Sequence, residues 1–310
     1  MEKQQETNHG TGHIIQSLLV NIAIATFKGF AAFMTGSGAM LAETIHSFSD
    51  CANQTLLLIG VRQARKPADA KHPLGYGRSV YFWSFMVAML LFTIGGMFSI
   101  YEGVHKYSNP EPVKQVAWGI GILLFSLALE GYATFSNVVE LNKQRGNNSF
   151  LGHLKKTKDS DLIVIFGENS AAVFGLILAL IAMIISYYTG DGRYDALGSV
   201  AIGVVLICVA IFLAREVKSL LIGESADVVI YEKVMQLSEN HPNIIELINC
   251  KTIQQGPGEV LVCAKILVSA SLNAVQISKL INDFEADLRA AHPDVKWLYI
   301  EPDLQEWKNE

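Results

Sequence analysis

Three stretches of this sequence carry no charged residue over a length that can cross a bilayer: Tyr81 to Tyr101, Ala171 to Thr189 and Ala196 to Ala214. A hydrocarbon layer about 30 Å thick needs roughly 20 residues of helix, at about 1.5 Å per residue. Inside it every backbone polar group must find its partner within the segment or in a closed barrel, so each stretch is predicted to be a membrane-spanning helix. Three further runs are apolar with polar insertions: Ile14 to Met34 with Asn21 and Lys28, Ala39 to Val61, and Val116 to Val139 with Glu130. The expectation is an α-helical membrane protein with six transmembrane helices over 14–222, preceded by a polar tail, 1–13. A mean hydropathy of +0.31, with 17% charged residues, agrees with that class and not with an ordinary soluble domain. The first apolar run is too long for the core of a cleaved leader and is expected to stay as structure.

Basic residues orient the chain. Arg62, Arg65, Lys66, Lys71 and Arg78 lie between the second and third runs, and Lys143, Arg145, Lys155, Lys156 and Lys158 between the fourth and fifth. Positive connections stay inside, which predicts cytoplasmic termini. The four cysteines, Cys51, Cys208, Cys250 and Cys263, show no CxxC spacing and are expected to be reduced thiols.

After Gly223 the pattern becomes that of a soluble domain, 223–310. From Glu224 onward there are 14 acidic and 7 basic residues, a net −7 against −5 for the whole chain. Val228, Tyr231, Val234, Met235 and Ser238 follow helical spacing up to His241-Pro242. Strands are predicted from Ile244 to Gln254, turning at Gly256-Pro257-Gly258, and across Val260 to Val268, where inward and outward positions alternate. Asn273 reads as an N-cap for a helix whose inner face is Ile277, Leu280, Ile281, Phe284 and Leu288. A last strand covers Val295 to Ile300. The order αββαβ predicts a small cytosolic α+β domain of ferredoxin-like type.

The second run carries Glu43, His46, Ser47, Asp50, Asn53 and Gln54, residues that are costly in hydrocarbon and functional by default. On a helix Glu43, His46, Asp50 and Gln54 fall on one stripe, with His46 and Asp50 four apart and pointing the same way. An imidazole and a carboxylate converging from one face make half of a metal site. The other half is expected on the fifth run at Glu168 and Asn169. Two carboxylates near one imidazole over-supply negative charge unless a cation visits. Glu43, Glu130 and Lys28 are read as proton-relay or cavity residues, with an ion pair between Lys28 and Glu130 as the blander alternative. His46 titrates near neutral pH and must release its proton to bind a metal, which suggests exchange of metal outward for protons inward. Asp195 is read as a helix-end residue without function. In the soluble domain His241, His292, Glu301 and Asp303 are weak metal candidates. No nucleophile with an orienting base stands out, so an enzyme is not expected, and nor is a nucleic-acid partner. Gly75-Tyr76-Gly77-Arg78 lacks the spacing of a phosphate loop and reads as a turn.

The run T-G-S-G-A-M-L-A-E-T-I-H-S-F-S-D, the following K-H-P-L-G-Y-G-R, and a C-terminal domain closing on I-E-P-D resemble the cation diffusion facilitators. F-G-E-N-S-A-A-V-F-G, Y-D-A-L-G-S and A-R-E-V-K-S-L-L-I-G-E resemble the branch containing a eukaryotic organellar zinc transporter and bacterial relatives. The resemblance covers nearly the whole chain. It implies a proton-coupled exporter of zinc, with manganese or iron as alternatives, acting as a homodimer in a bacterial inner membrane. It carries the second-span metal pair onto His46 and Asp50. On the fifth span Asn169 stands where the family usually has Asp, and Ile165 where it has His or Asp. A non-transporting metal-sensing regulator with a degenerate site is the contrasting reading. The family's histidine-rich loop is absent from Asn142 to Asp161, which holds only His153.

Overall fold

The computed structural model describes residues 2–144 and 160–304. Most of the basic connection predicted between the fourth and fifth runs lies outside them. The chain divides into two compact units. The first comprises residues 1–59, 83–155 and 161–217, and the second 60–82, 156–160 and 218–310.

The helices are α1 (Glu2–Thr35), α2 (Gly38–Ala64), α3 (Ser79–Ser108), α4 (Val116–Gln144), α5 (Ser160–Thr189) and α6 (Arg193–Ile222). Helix α3 widens to π geometry over Leu91–Met97. Among the described residues, four segments can cross a membrane by length and composition: α3, Val116–Val139 of α4, Val164–Thr189 of α5, and α6. Helix α2 is as long, but Glu43, His46, Asp50, Asn53 and Gln54 lower its apolarity. Those same residues form the candidate site below.

The turn from α1 to α2 places Gly36 at φ 66°, a left-handed conformation that glycine adopts without a steric penalty. The first orphan N–H groups of α2 need acceptors. Asp195 supplies them from α6: its Oδ1 accepts from Ser37 Oγ and its Oδ2 from Gly38 N, each at 2.5 Å. Asp195 stands in the first turn of its own helix, as the sequence suggested, and also caps α2. Lys106 Nζ donates to the Gly36 carbonyl and Lys114 N to that of Thr35. Helices α3 and α6 meet through small residues: Ser199 Oγ donates to the Ser99 carbonyl at 2.9 Å, and a Cβ on Gly203 would stand 2.7 Å from the Gly96 carbonyl oxygen.

In the second unit the order is α7 (Val228–Asn240), β1 (Ile244–Gly256), β2 (Glu259–Val268), α8 (Ala274–Ala291) and β3 (Val295–Asp303). The sheet order is β1-β2-β3, with β1 and β2 antiparallel and β2 and β3 parallel. The parallel pairing is closed by the α8 crossover, as chain geometry requires. Val260, Val262, Ala264, Ile266 and Val268 alternate into a core completed by Ile230, Val234, Leu280, Phe284 and Leu288. Asn273 and Gln276 form a reciprocal capping box. The inner face of α7 is Ile230, Val234 and Ser238; Val228, Tyr231 and Met235, expected inside, are 61%, 40% and 39% exposed.

The Gly75–Arg78 segment is a turn in this same unit. Asp69 Oδ1 accepts from the amides of Lys71 and His72, and Oδ2 from Tyr76 Oη at 2.7 Å. The Tyr76 hydroxyl, then the backbone amides, hold the Asp69 carboxyl below the usual carboxylate range.

Candidate cation site on helices α2 and α5

Every residue of the predicted stripe is on α2, and His46, Glu43 and Asn53 are wholly buried. His46 Nδ1 stands 3.5 Å from Asp50 Oδ1. That is too long for a hydrogen bond, and neither atom has another partner; nor does His46 Nε2. A tetrahedral ion bonded to nitrogen and oxygen at about 2.0 to 2.2 Å separates them by roughly 3.4 Å. The observed gap therefore fits a bridging cation better than a direct contact. Buried polar atoms without partners are rare and costly, and here they cluster: Asp50 Oδ1, Asn53 Oδ1, Gln54 Oε1, Glu43 Oε1 and Glu130 Oε2 are likewise unpaired.

Glu168 on α5 is 7% exposed and faces α2, where Asn53 Nδ2 donates to its Oε1 at 2.6 Å. Asp50 lies within electrostatic reach of Glu168, Glu130, Lys28 and Glu43. Asn169 is half-buried, and its main-chain carbonyl accepts from Thr134 Oγ1 on α4. Among the described residues no three His, Cys, Asp or Glu side chains converge tightly enough to enclose an ion as they stand. The site is a half-built pair on α2 facing a carboxylate on α5.

Beside it Lys28 is wholly buried and bridges three helices. Its Nζ lies 2.7 Å from Glu130 Oε1, 3.3 Å from Glu43 Oε2 and 2.9 Å from Ser47 Oγ. The ion pair foreseen with Glu130 forms, with Glu43 as a second partner. The Glu43 carboxylate packs against Gly175 of α5, where a Cβ would meet its Oε1 and displace it. Ser47 and Asn53 had no assigned function in the sequence reading. Their signal was present, since Asn53 lies three and seven residues from Asp50 and His46 on the same face.

In the second unit Glu301 and Asp303 flank Lys265, whose Nζ lies 3.0 and 3.1 Å from them. His241 and His292 close α7 and α8 as C-caps.

Residues 14–222 match the cation efflux transmembrane domain. The chain belongs to the cation efflux family. Members of this family are transporters, not enzymes. The chain is similar to the human mitochondrial proton-coupled zinc antiporter SLC30A9, 32% identical over 83% of this chain and 46% of that protein. It thus spans about half the length of that relative. It is also similar to the cation-efflux pump FieF of Yersinia enterocolitica, 25% identical over 79% of this chain and 75% of that one. The manganese efflux system protein MneS of Bacillus subtilis is 22% identical over 97% of this chain and 99% of its own.

Proposed function

We propose that this protein is a proton-coupled exporter of divalent cations, with zinc as the first candidate cargo and manganese or iron as alternatives. The ligands are His46 and Asp50 on α2 and Glu168 on α5, with Asn169 alongside. The observation that carries this is the unpaired, buried His46–Asp50 pair, its donors spaced as a bound ion spaces them. An ionised carboxylate and a neutral imidazole suit zinc, and the oxygen-rich surroundings also suit manganese. The zinc antiporter SLC30A9 and the manganese system MneS among the relatives leave both cargoes in view. Ligands must be deprotonated to bind, so cation entry displaces the protons that the site carboxylates hold, and protons entering from the far side reset the site. Lys28, Glu43 and Glu130 form the adjoining charged cavity.

All six helices cross the membrane in this proposal. Supporting it, the α1–α2 turn bonds to Lys106, Lys114 and Asp195, which lie at the ends of α3, α4 and α6. The turn therefore sits at the same end as the 109–115 and 190–192 connections. The domain after Gly223 is a ferredoxin-like cytosolic module, the assembly a homodimer, and the location a bacterial inner membrane.

Proteoliposomes holding a metal-sensitive dye and a pH gradient test the site. Wild-type protein is expected to move zinc or manganese, and Asp50→Ala and His46→Ala to lose at least about tenfold in rate. Wild-type rates in both variants would refute the ligand assignment. Absence of any flux in wild type, with metal-dependent change in the protein, would favour the sensing regulator.

A further inference from the structure

We propose that Asn53 is a further cation-binding residue of this transporter, its carboxamide oxygen acting as a neutral donor that sets metal preference. The inference rests on the export site proposed above. Asn53 is on α2, one helical turn beyond Asp50 and two beyond His46, and it is wholly buried. Its amide nitrogen donates to Glu168 Oε1 at 2.6 Å. The structure turns the amide NH2 toward Glu168 and leaves the carboxamide oxygen free to accept.

That oxygen, Oδ1, has no partner, although burying an unpaired carbonyl is costly. The bond to Glu168 uses the amide nitrogen alone and leaves the oxygen available to a further partner. At three and seven positions from Asp50 and His46, Asn53 projects from the helix face that carries Asp50 Oδ1 and the His46 nitrogens, which are unpaired too. Convergence counted over His, Cys, Asp and Glu alone leaves the site short of ligands. The Asn53 amide adds an oxygen donor that such a count omits. It is a hard donor of no net charge, so it favours manganese relative to zinc more than an imidazole in the same place would.

The test measures Zn2+ and Mn2+ binding separately to the full chain in detergent, by competition with a chelating dye. Asn53→His is expected to raise the zinc-to-manganese affinity ratio about tenfold. Asn53→Ala, made in a Glu168→Gln background, is expected to weaken manganese binding about tenfold further, because the lost oxygen acts on the ion directly. If Asn53 works only by holding the Glu168 carboxylate, Asn53→Ala has no effect in that background, and the proposal is overturned. An unchanged ratio in Asn53→His overturns it as well. Asn53→Ser, smaller and still polar, supplies the ratio if the histidine variant does not fold. Loss of the metal response to His46→Ala separates the two levels: wild-type affinity in that variant removes the export site itself, whereas His46 dependence with silent Asn53 variants removes this inference alone.

Discussion

Lys28 shows what a single buried charge requires of its surroundings. An ammonium wholly removed from water must be paired and hydrogen-bonded, and two neighbouring helices supply Glu43, Ser47 and Glu130 for that purpose. Removing the lysine leaves two carboxylates facing each other with no counter-charge. Lys28→Met is therefore expected to destabilise the protein by about 3 to 5 kcal/mol, the cost of an uncompensated buried charge. Thermal unfolding in detergent reads the loss. Adding Glu43→Gln should restore at least half of it, because one carboxylate then remains. A double variant no more stable than Lys28→Met would show that packing of the lysine stem, not its charge, holds the helices. The sequence displayed Lys28 and Glu130 as expensive residues in apolar runs, but their three-way geometry depends on helix neighbours that no one-dimensional pattern encodes.

At the scale of elements, legibility followed the strength of the periodic signal. Strand β2 alternates over its whole length, so its inward residues could be read directly and Val260 through Val268 point into the core as expected. Helix α8 has one apolar stripe and a cap at Asn273, and both were visible. Helix α7 is short and apolar on two sides, so two stripes crossing at Val234 fit the period equally well. Packing against the sheet selected Ile230, Val234 and Ser238. The Asp195 cap was illegible for another reason: its acceptor function joins residues 157 and 158 positions apart in sequence.

The sheet also sets the chemistry of its cysteines. Burial against the core, with the neighbouring Cys263 adding to it, pushes the Cys250 thiol up to about 11, so the neutral thiol is favoured in the folded chain. A raised folded value means this contribution is intact below the ordinary thiol range and fades as pH climbs toward 11. At pH 8 only about one Cys250 in a thousand is thiolate, the reactive form. Iodoacetamide at pH 8 is expected to modify exposed Cys263 well before Cys250, with Cys250 catching up steeply above pH 10, as followed by mass spectrometry of the intact protein. Equal rates at pH 8 would contradict the burial of Cys250.

For the whole molecule the question is how many times the chain crosses the bilayer. Among the described residues composition marks four helices, and α2 falls short because it carries Glu43, His46, Asp50, Asn53 and Gln54. Hydropathy thus under-counts a helix whose polar residues are those of the candidate site. Connectivity supplies what composition lacks. The α1–α2 turn is bonded to Lys106, Lys114 and Asp195, so it must lie on the side of the membrane where α3 ends and α6 begins. In the proposed topology the opposite side, with the basic residues from Arg62 to Arg78, faces the cytoplasm. A cysteine at 36, 109 or 191 in a background lacking the native cysteines should therefore react with an impermeant maleimide added outside intact cells. One at 71 should react only after permeabilisation. Open space around Gly36 leaves room for the label, although its φ of 66° makes Gly36→Cys cost about 1 kcal/mol. If position 36 instead labels with 71, α1 and α2 form a hairpin that does not cross. The His46–Asp50 pair would then sit outside the membrane path, and the export proposal would fail with it.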